Sequence, residues 1–194
     1  FYCTQDPELA KEWSVTSTDG NGYVNIYEFD DTDLNVLNLD NKSILTWISI
    51  LLVNRTFEVR GALAGAALAY LKDNFLIDCS GYDAIYGWRA DDSYFAYASD
   101  FINGTLSVQR LGRAMRFGNL GMQYVLKSKE AFDRIVFKES MLVPSMMYYK
   151  KRMARDAEAR ESYLYGERQA FDKDDIFITD IIRQEIGRDD PRLQ

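Results

Sequence analysis

The sequence contains no histidine and only two cysteines, Cys3 and Cys79. Without histidine, the chain by itself has no Ser-His-Asp triad, no Cys-His dyad and no His-ligated zinc site. Two cysteines without a CxxC spacing are too few for a thiolate metal cage, so no metal is expected. The cysteines leave two interpretations open, one disulfide or two reduced and mostly buried thiols, and the second is typical of a cytosolic protein.

Long apolar runs and an excess of positive charge are also absent. The longest apolar run, residues 48–53, is interrupted by Ser49 and is far shorter than the ~20 residues that a bilayer requires. No membrane partner is therefore expected. The chain has 23 Lys and Arg against 30 Asp and Glu, a net charge of -7, so it lacks the global positive field that would hold nucleic acid. It begins at Phe1 with no pattern typical of a signal peptide, and the predicted location is the cytoplasm.

Hydrophobic residues make up 47% of the chain, and it has 13 Tyr, 11 Phe and 3 Trp, a composition typical of a folded domain with an aromatic-rich core. Residues 1–140 alternate between strand and helix signals, which predicts an α+β domain. Asp6-Pro7-Glu8 is a helix start, with Asp as N-cap and Pro in the first turn. The alternation over 23–29 predicts a strand. Further strands are expected at 34–39, 83–88 and 123–126, a last short one at 136–137, and helices at 42–53, 63–72, 92–101, 107–115 and 128–135.

Residues 141–194 have a different character and are predicted to be a helical extension. Residues 146–165 form a long polar helix pattern, and residues 176–186 form an amphipathic one. We expect the extension to bury Ile178, Ile181, Ile182 and the 146–149 cluster against the rest of the chain or a second copy. A homodimer through these helices is one of the partner predictions.

Three groups of residues are candidates for a site. Arg89 stands beside Asp91 and Asp92 where a strand leads into a helix, which fits either a helix-capping cluster or an Arg held for phosphate recognition. The stretch 113–121 fits either a helix C-cap and turn or a mobile, Gly-hinged substrate loop. Tyr2 and Trp13 are either core aromatics or the two walls of a cleft for a flat ring.

These groups coincide with the motifs of a known family. The chain resembles a bacterial family of domains of unknown function that is placed in the ADP-ribosyltransferase superfamily and is associated with toxin–antitoxin and phage-defence modules. The resemblance covers about residues 1–140. It rests on these motifs: Phe-Tyr-x-Thr at 1–4, a Trp eleven residues after the Tyr, Val-Asn-Ile-Tyr-Glu-Phe at 24–29, Tyr-Asp-Ala-Ile-Tyr-Gly at 82–87 followed by Ala-Asp-Asp, and Gln-Tyr-Val-Leu-Lys-Ser at 123–128.

The resemblance implies a split pair of small sheets around a cleft that holds NAD as a substrate. Tyr2 falls at the second-strand position of the superfamily, with Thr4 beside it. Trp13 falls where a second aromatic residue sandwiches the nicotinamide. Gln123 falls where a Glu stabilises the ribose as nicotinamide leaves, so Gln123 and Tyr2 are the implied catalytic residues. Arg89 completes the implied NAD-binding set, which also contains Asp91, Asp92 and Arg116.

Two departures from the family pattern affect the implied chemistry. The first-strand His or Arg that binds NAD is expected upstream of Phe1. Gln123 replaces the carboxylate, and a neutral amide supplies no charge to the reaction centre. Asp91 or Asp92 is then an alternative acid.

The resemblance therefore implies a transferase of the glycosyltransferase class, a toxin-like or defence-associated ADP-ribosyltransferase. Its acceptor would be a macromolecule, protein or nucleic acid, and a small antitoxin-like protein is an implied partner. The alternative is a catalytically inactive protein of the same fold that acts as a binding or scaffold module.

Overall fold

A computed structural model describes residues 1–55, 59, 61–89, 92–115, 121–167 and 170–193, without the side chains of residues 92–95 and 167. The strands in these ranges are β1 (Tyr2–Cys3), β2 (Gly22–Phe29), β3 (Val36–Asn38), β4 (Ala84–Trp88), β5 (Met122–Leu126) and β6 (Ile135–Val143). The helices are α1 (Pro7–Trp13), α2 (Ile44–Asn54), α3 (Gly61–Asn74), α4 (Asp92–Ile102), α5 (Val108–Ala114), α6 (Lys129–Asp133), α7 (Ser145–Glu167) and α8 (Ile178–Arg183). The α+β class is therefore confirmed.

The chain forms two compact units, each assembled from three stretches of sequence. The first unit comprises Phe1–Asn38, Cys79–Arg89 and Gly118–Ala159. The second unit comprises Leu39–Asp78, Ala90–Phe117 and Arg160–Gln194. Within the described ranges, no helix combines the length and the apolar character that crossing a bilayer requires.

Two separate sheets organise the first unit. The larger has the strand order β1-β5-β4-β3, in which β3 and β4 are parallel and the other pairs are antiparallel. The smaller is the antiparallel pair of β2 and β6, with an irregularity in register between Ile26 and Tyr27. The last strand is longer than the predicted 136–137, because β2 supplies pairing partners as far as Val143.

Three helices begin at a residue whose side chain caps them, and one of these residues, Asp6, was predicted. The side chain of Asp6 accepts hydrogen bonds from the backbone amides of Glu8 and Leu9, which starts α1. Ser107 and Ser128 cap α5 and α6 in the same way. The start of α7 packs in the first unit, where Tyr148 is buried with Val15 and Val143.

The second unit has a helical core. Its fully buried side chains include Leu45, Ile48, Leu71, Phe75, Phe101, Ile102 and Leu111, together with Ile178 and Ile181 from α8. The hydroxyl of Tyr70 on α3 donates a hydrogen bond to the carbonyl of Ile186 at 3.3 Å, which fastens the segment after α8 to α3.

The expected burial of the C-terminal helices is partly wrong. Ile178 and Ile181 are buried and Ile182 is half-buried, as the amphipathic pattern predicts. The start of α7 differs, since Met146 is 67% exposed and Met147 is 49% exposed, whereas Tyr148 is buried. One face of this turn packs on the first unit, and the methionines lie on the other face.

Candidate functional site

The predicted catalytic residues lie on adjacent strands of the larger sheet. Phe1 and Leu126 exchange both backbone hydrogen bonds, at 3.0 and 2.8 Å, and this fixes Tyr2 opposite Val125. Because side chains alternate along a strand and paired residues share a face, Tyr2 lies on the same face as Val125 and Gln123. Gln123 is half-buried opposite Gly87, and Tyr2 is 67% exposed.

Thr4 continues this line of contacts just after β1. Its hydroxyl donates a hydrogen bond to the carbonyl of Met122 at 3.1 Å, which ties the end of β1 to the start of β5. The backbone amide of Asp6 in turn donates to the Thr4 hydroxyl at 3.2 Å. Thr4 therefore positions the entry into α1, and this local structural role stands beside the predicted role in NAD binding.

Trp13 is the last residue of α1, and the guanidinium of Arg89 packs over its ring. The guanidinium carbon of Arg89 lies 4.3 Å from the centre of the Trp13 ring. The backbone amide of Arg89 donates to the carbonyl of Gly121 at 3.2 Å, which brings the end of β4 to the residue before β5. The indole Nε1 of Trp13 is buried and has no hydrogen-bond partner among the described residues. The indole of Trp13 thus has a cation stacked on its face and an N–H donor without a hydrogen-bond partner.

Gly121 allows α1 to approach the larger sheet. Its φ of 72° lies in the left-handed region, where glycine carries no steric cost. A Cβ at this position would lie 2.3 Å from Cδ1 of Leu9, which is buried on α1. Glycine at 121 therefore lets α1, and Trp13 at its end, pack against the start of β5.

The structure brings together part of the predicted site. Tyr2, Thr4, Trp13, Arg89 and Gln123 all belong to the first unit, and the contacts above connect them around the start of β5. No ring contact joins Tyr2 to Trp13 in the described part of the chain, and the cation over Trp13 was not predicted.

The structure does not describe the side chains of the remaining predicted residues. Asp91 and Arg116 fall on undescribed residues, as do residues 116–120 of the predicted substrate loop. Asp92 begins α4, but its side chain is not described.

The first unit contains a cavity of about 420 Å³, which was not predicted from the sequence. It is lined by the end of β1, by α1 and by β2, with Tyr124, Ile135 and Met141 completing the wall. Cys3 and Tyr124 face it from the larger sheet, whereas Tyr2 and Gln123 do not line it. The alternation of Tyr27 and Phe29 along β2 indicates that both rings lie on one face of that strand. It could not predict the cavity, because nothing in the sequence places β2 beside β1.

The polar groups of this cavity are few. The Tyr124 hydroxyl donates a hydrogen bond to Oδ2 of Asp31 at 3.1 Å. Burial, followed by this hydrogen bond, raises the pKa of Tyr124 to about 12. Burial also raises the pKa of the Cys3 thiol, so Cys3 is neutral at pH 7. No disulfide joins Cys3 to Cys79, which agrees with the reduced-thiol interpretation.

Comparison with known proteins gives one match. The model of a family described as "Protein of unknown function (DUF3990)" matches residues 1–137. The match extends from β1 into the first residues of β6 and includes every predicted site residue. No curated protein and no solved structure matches the chain.

Proposed function

The chain belongs to the DUF3990 family, and on that premise we propose that it is an NAD-dependent ADP-ribosyltransferase. Its role would be that of a toxin-like or defence-associated effector that modifies a macromolecule, protein or nucleic acid. The assignment to the ADP-ribosyltransferase superfamily is part of this proposal and rests on the sequence motifs given above.

One observation carries the proposal. Five residues that the motifs single out, spread from position 2 to position 123, are connected around the start of β5. Residues that are distant in sequence and adjacent in space, with aromatic, cationic and amide groups together, are typical of a ligand site. The division of the strands into a four-stranded and a two-stranded sheet supports the same fold assignment.

The proposed roles follow from the chemistry of each side chain. Tyr2, exposed on its strand, and Trp13 would hold the nicotinamide ring by stacking. Arg89 would bind the pyrophosphate, because a guanidinium matches phosphate oxygens. The amide of Gln123 would hydrogen-bond a ribose hydroxyl. NAD would supply the ADP-ribosyl group, with nicotinamide as the leaving group.

The residues fit NAD with one rearrangement. Arg89 covers the Trp13 ring at 4.3 Å, so a ring that stacks on this face displaces the guanidinium. A cation–π contact contributes about 0.5–2 kcal/mol, and a pyrophosphate would give Arg89 charge-assisted hydrogen bonds in return.

Gln123 makes slow chemistry the expected outcome. Losing a charge at the reaction centre costs about 3 kcal/mol, or about a hundredfold in rate. Asp91 or Asp92 would be the acid if turnover is fast.

The second candidate is a binding or scaffold module without catalysis. The neutral Gln123 and the cation over the Trp13 ring favour it. The exposed Met146 and Met147 on α7 would then be candidates for contact with a small antitoxin-like protein or a second copy.

Calorimetric titration of the complete chain with NAD tests the proposal, together with an assay for nicotinamide release. Tyr2→Ala should weaken NAD binding at least fivefold because one stacking wall is lost. The control is Tyr23→Ala, since Tyr23 on β2 is 66% exposed and outside the site. Binding without release would favour the scaffold module. No heat at millimolar NAD would exclude the transferase.

A further inference from the structure

The cavity of about 420 Å³ in the first unit is not lined by Tyr2 or Gln123, the two residues assigned to NAD catalysis, although Thr4 lines it. Its volume is in the range of small-molecule sites, at the lower end. Four aromatic side chains contribute to its wall: Phe1, Tyr27, Phe29 and Tyr124. They form two edge-to-face pairs, Phe1 with Tyr27 at 5.7 Å and Phe29 with Tyr124 at 5.6 Å between ring centres. Such a wall suits a compact ligand with a flat ring.

A carboxylate stands at the opening of this cavity. Asp31 lines the cavity and is also exposed, which places this residue where the cavity meets the solvent. The hydroxyl of Tyr124 holds one carboxylate oxygen at 3.1 Å and thereby orients the group. Asp30 and Asp33, in the same turn after β2, add negative charge beside it. Arg134 donates to the carbonyl of Thr32 in this turn, but its guanidinium is also paired with Glu130 at 2.8 Å. The three aspartates therefore leave a net negative charge at the turn, which attracts a cation.

The positive charge of Lys11, which lines the cavity, does not offset this attraction. Lys11 lines the cavity from α1, but its ammonium lies 2.7 Å from Oε1 of Glu8, and it also lies 5.6 Å from the centre of the Tyr148 ring. Its charge is thus largely balanced locally. Aromatic faces themselves attract cations, because their quadrupole is negative at the face.

We propose that this cavity binds a compact organic cation, an ammonium group joined to a single aromatic ring by a short linker. The ring packs among the four aromatic side chains, and the ammonium is held by Asp31 at the opening. The proposal concerns a site distinct from that of Tyr2 and Gln123 and does not depend on the transferase activity.

Isothermal titration of the complete chain with benzyltrimethylammonium, and with neutral benzyl alcohol as the matched probe, tests this. We expect the cation to bind at least tenfold more tightly than the alcohol. Asp31→Asn should weaken binding of the cation about tenfold and leave the alcohol unchanged, since it removes the charge and keeps the shape.

Asp33→Asn is the control, because Asp33 has the same charge, does not line the cavity and has a φ of 63°, which asparagine accepts. It should leave the affinity within twofold. Equal binding of the two probes, no binding of the cation at 10 mM, or an equal loss in Asp31→Asn and Asp33→Asn would each overturn the proposal.

Discussion

Arg89 lies over the indole of Trp13, with 4.3 Å between the guanidinium carbon and the ring centre. The two residues come from the end of β4 and the end of α1. The contact joins a cation suited to phosphate and an aromatic ring suited to stacking. Arg89 should therefore favour binding of the phosphates of a dinucleotide. The same guanidinium should hinder stacking of the nicotinamide ring on Trp13, because it covers that face of the indole.

Arg89→Ala should separate these effects. NAD should bind about tenfold more weakly, because the pyrophosphate loses its charge-assisted partner. Free nicotinamide should bind about two- to fivefold more tightly, because the Trp13 ring is uncovered. Calorimetric titration measures both, with Arg183→Ala on α8 as the control for loss of an exposed arginine. A parallel fall of both affinities would contradict the assignment.

Gln123→Glu should raise nicotinamide release from NAD by up to about a hundredfold, because it restores the missing charge. Gln123→Ala should abolish activity, since the ribose loses its hydrogen-bond partner. Gln184→Glu, which makes the same charge change at an exposed position beside Arg192, should have no effect. Equal turnover in the wild type and Gln123→Ala would remove Gln123 from the reaction centre.

Gly121→Ala should destabilise the chain more than Gly20→Ala. Both glycines have positive φ, 72° and 84°, so both variants carry the left-handed strain of about 1 kcal/mol. Only at 121 does the added methyl collide with Leu9, whereas nothing lies within 4 Å at Gly20. The collision should add about 1–3 kcal/mol in denaturant unfolding. Equal losses of unfolding free energy in the two variants would show that α1 can move away from the added methyl without cost.

Arg155→Ala should cost about 3 kcal/mol of unfolding free energy. Arg155 donates to both carboxylate oxygens of Glu12, at 2.8 and 2.9 Å, and Glu12 has only 4% of its side chain exposed. Removing the arginine leaves a buried carboxylate without its ion-pair partner. Lys151→Ala, which breaks the exposed pair with Glu8, should cost less than about 1 kcal/mol. Similar losses from both, measured by chemical denaturation, would contradict this.

The pKa of Tyr124 predicts a loss of stability in alkali. Its ordinary value of 10.0 is raised to about 12 in the folded chain. Because the folded state favours the neutral phenol, the associated stability is complete below pH 10 and is lost as the pH rises to about 12. Unfolding free energy should therefore fall more steeply over this range in the wild type than in Tyr124→Phe. If the wild type and Tyr124→Phe lost stability equally over this pH range, the Tyr124 phenol would have the same pKa in the folded and unfolded chain, which would contradict its burial.

Local signals in the sequence were enough to predict most elements. Asp6 and Pro7 predicted the start of α1, and the helix predicted over 128–135 begins after its N-cap Ser128, because capping depends on residues two or three positions apart. β6 was predicted too short. Its middle residues, Lys138 to Ser140, are polar and exposed, so strand pairing with β2 and not burial maintains the strand.

The site was less predictable because it depends on contacts between distant residues. Tyr2 and Gln123 were identified by motif, and the register of β1 on β5 then placed them on one face. The stacking of Arg89 on Trp13 and the bond from Tyr124 to Asp31 join residues far apart in sequence. Neither contact has a local sequence pattern. The first depends on how α1 packs against the larger sheet, and the second depends on how the two sheets pack together.

The pairing of the first strands with the last has a consequence for synthesis on the ribosome. Tyr2 pairs with Val125 and Gly22 pairs with Val143. At about 5–20 residues per second, the nascent chain waits roughly 6–24 s before either partner exists. During that interval the aromatic edges of β1 and β2 are unprotected, and a chaperone that holds extended segments would find its binding site there.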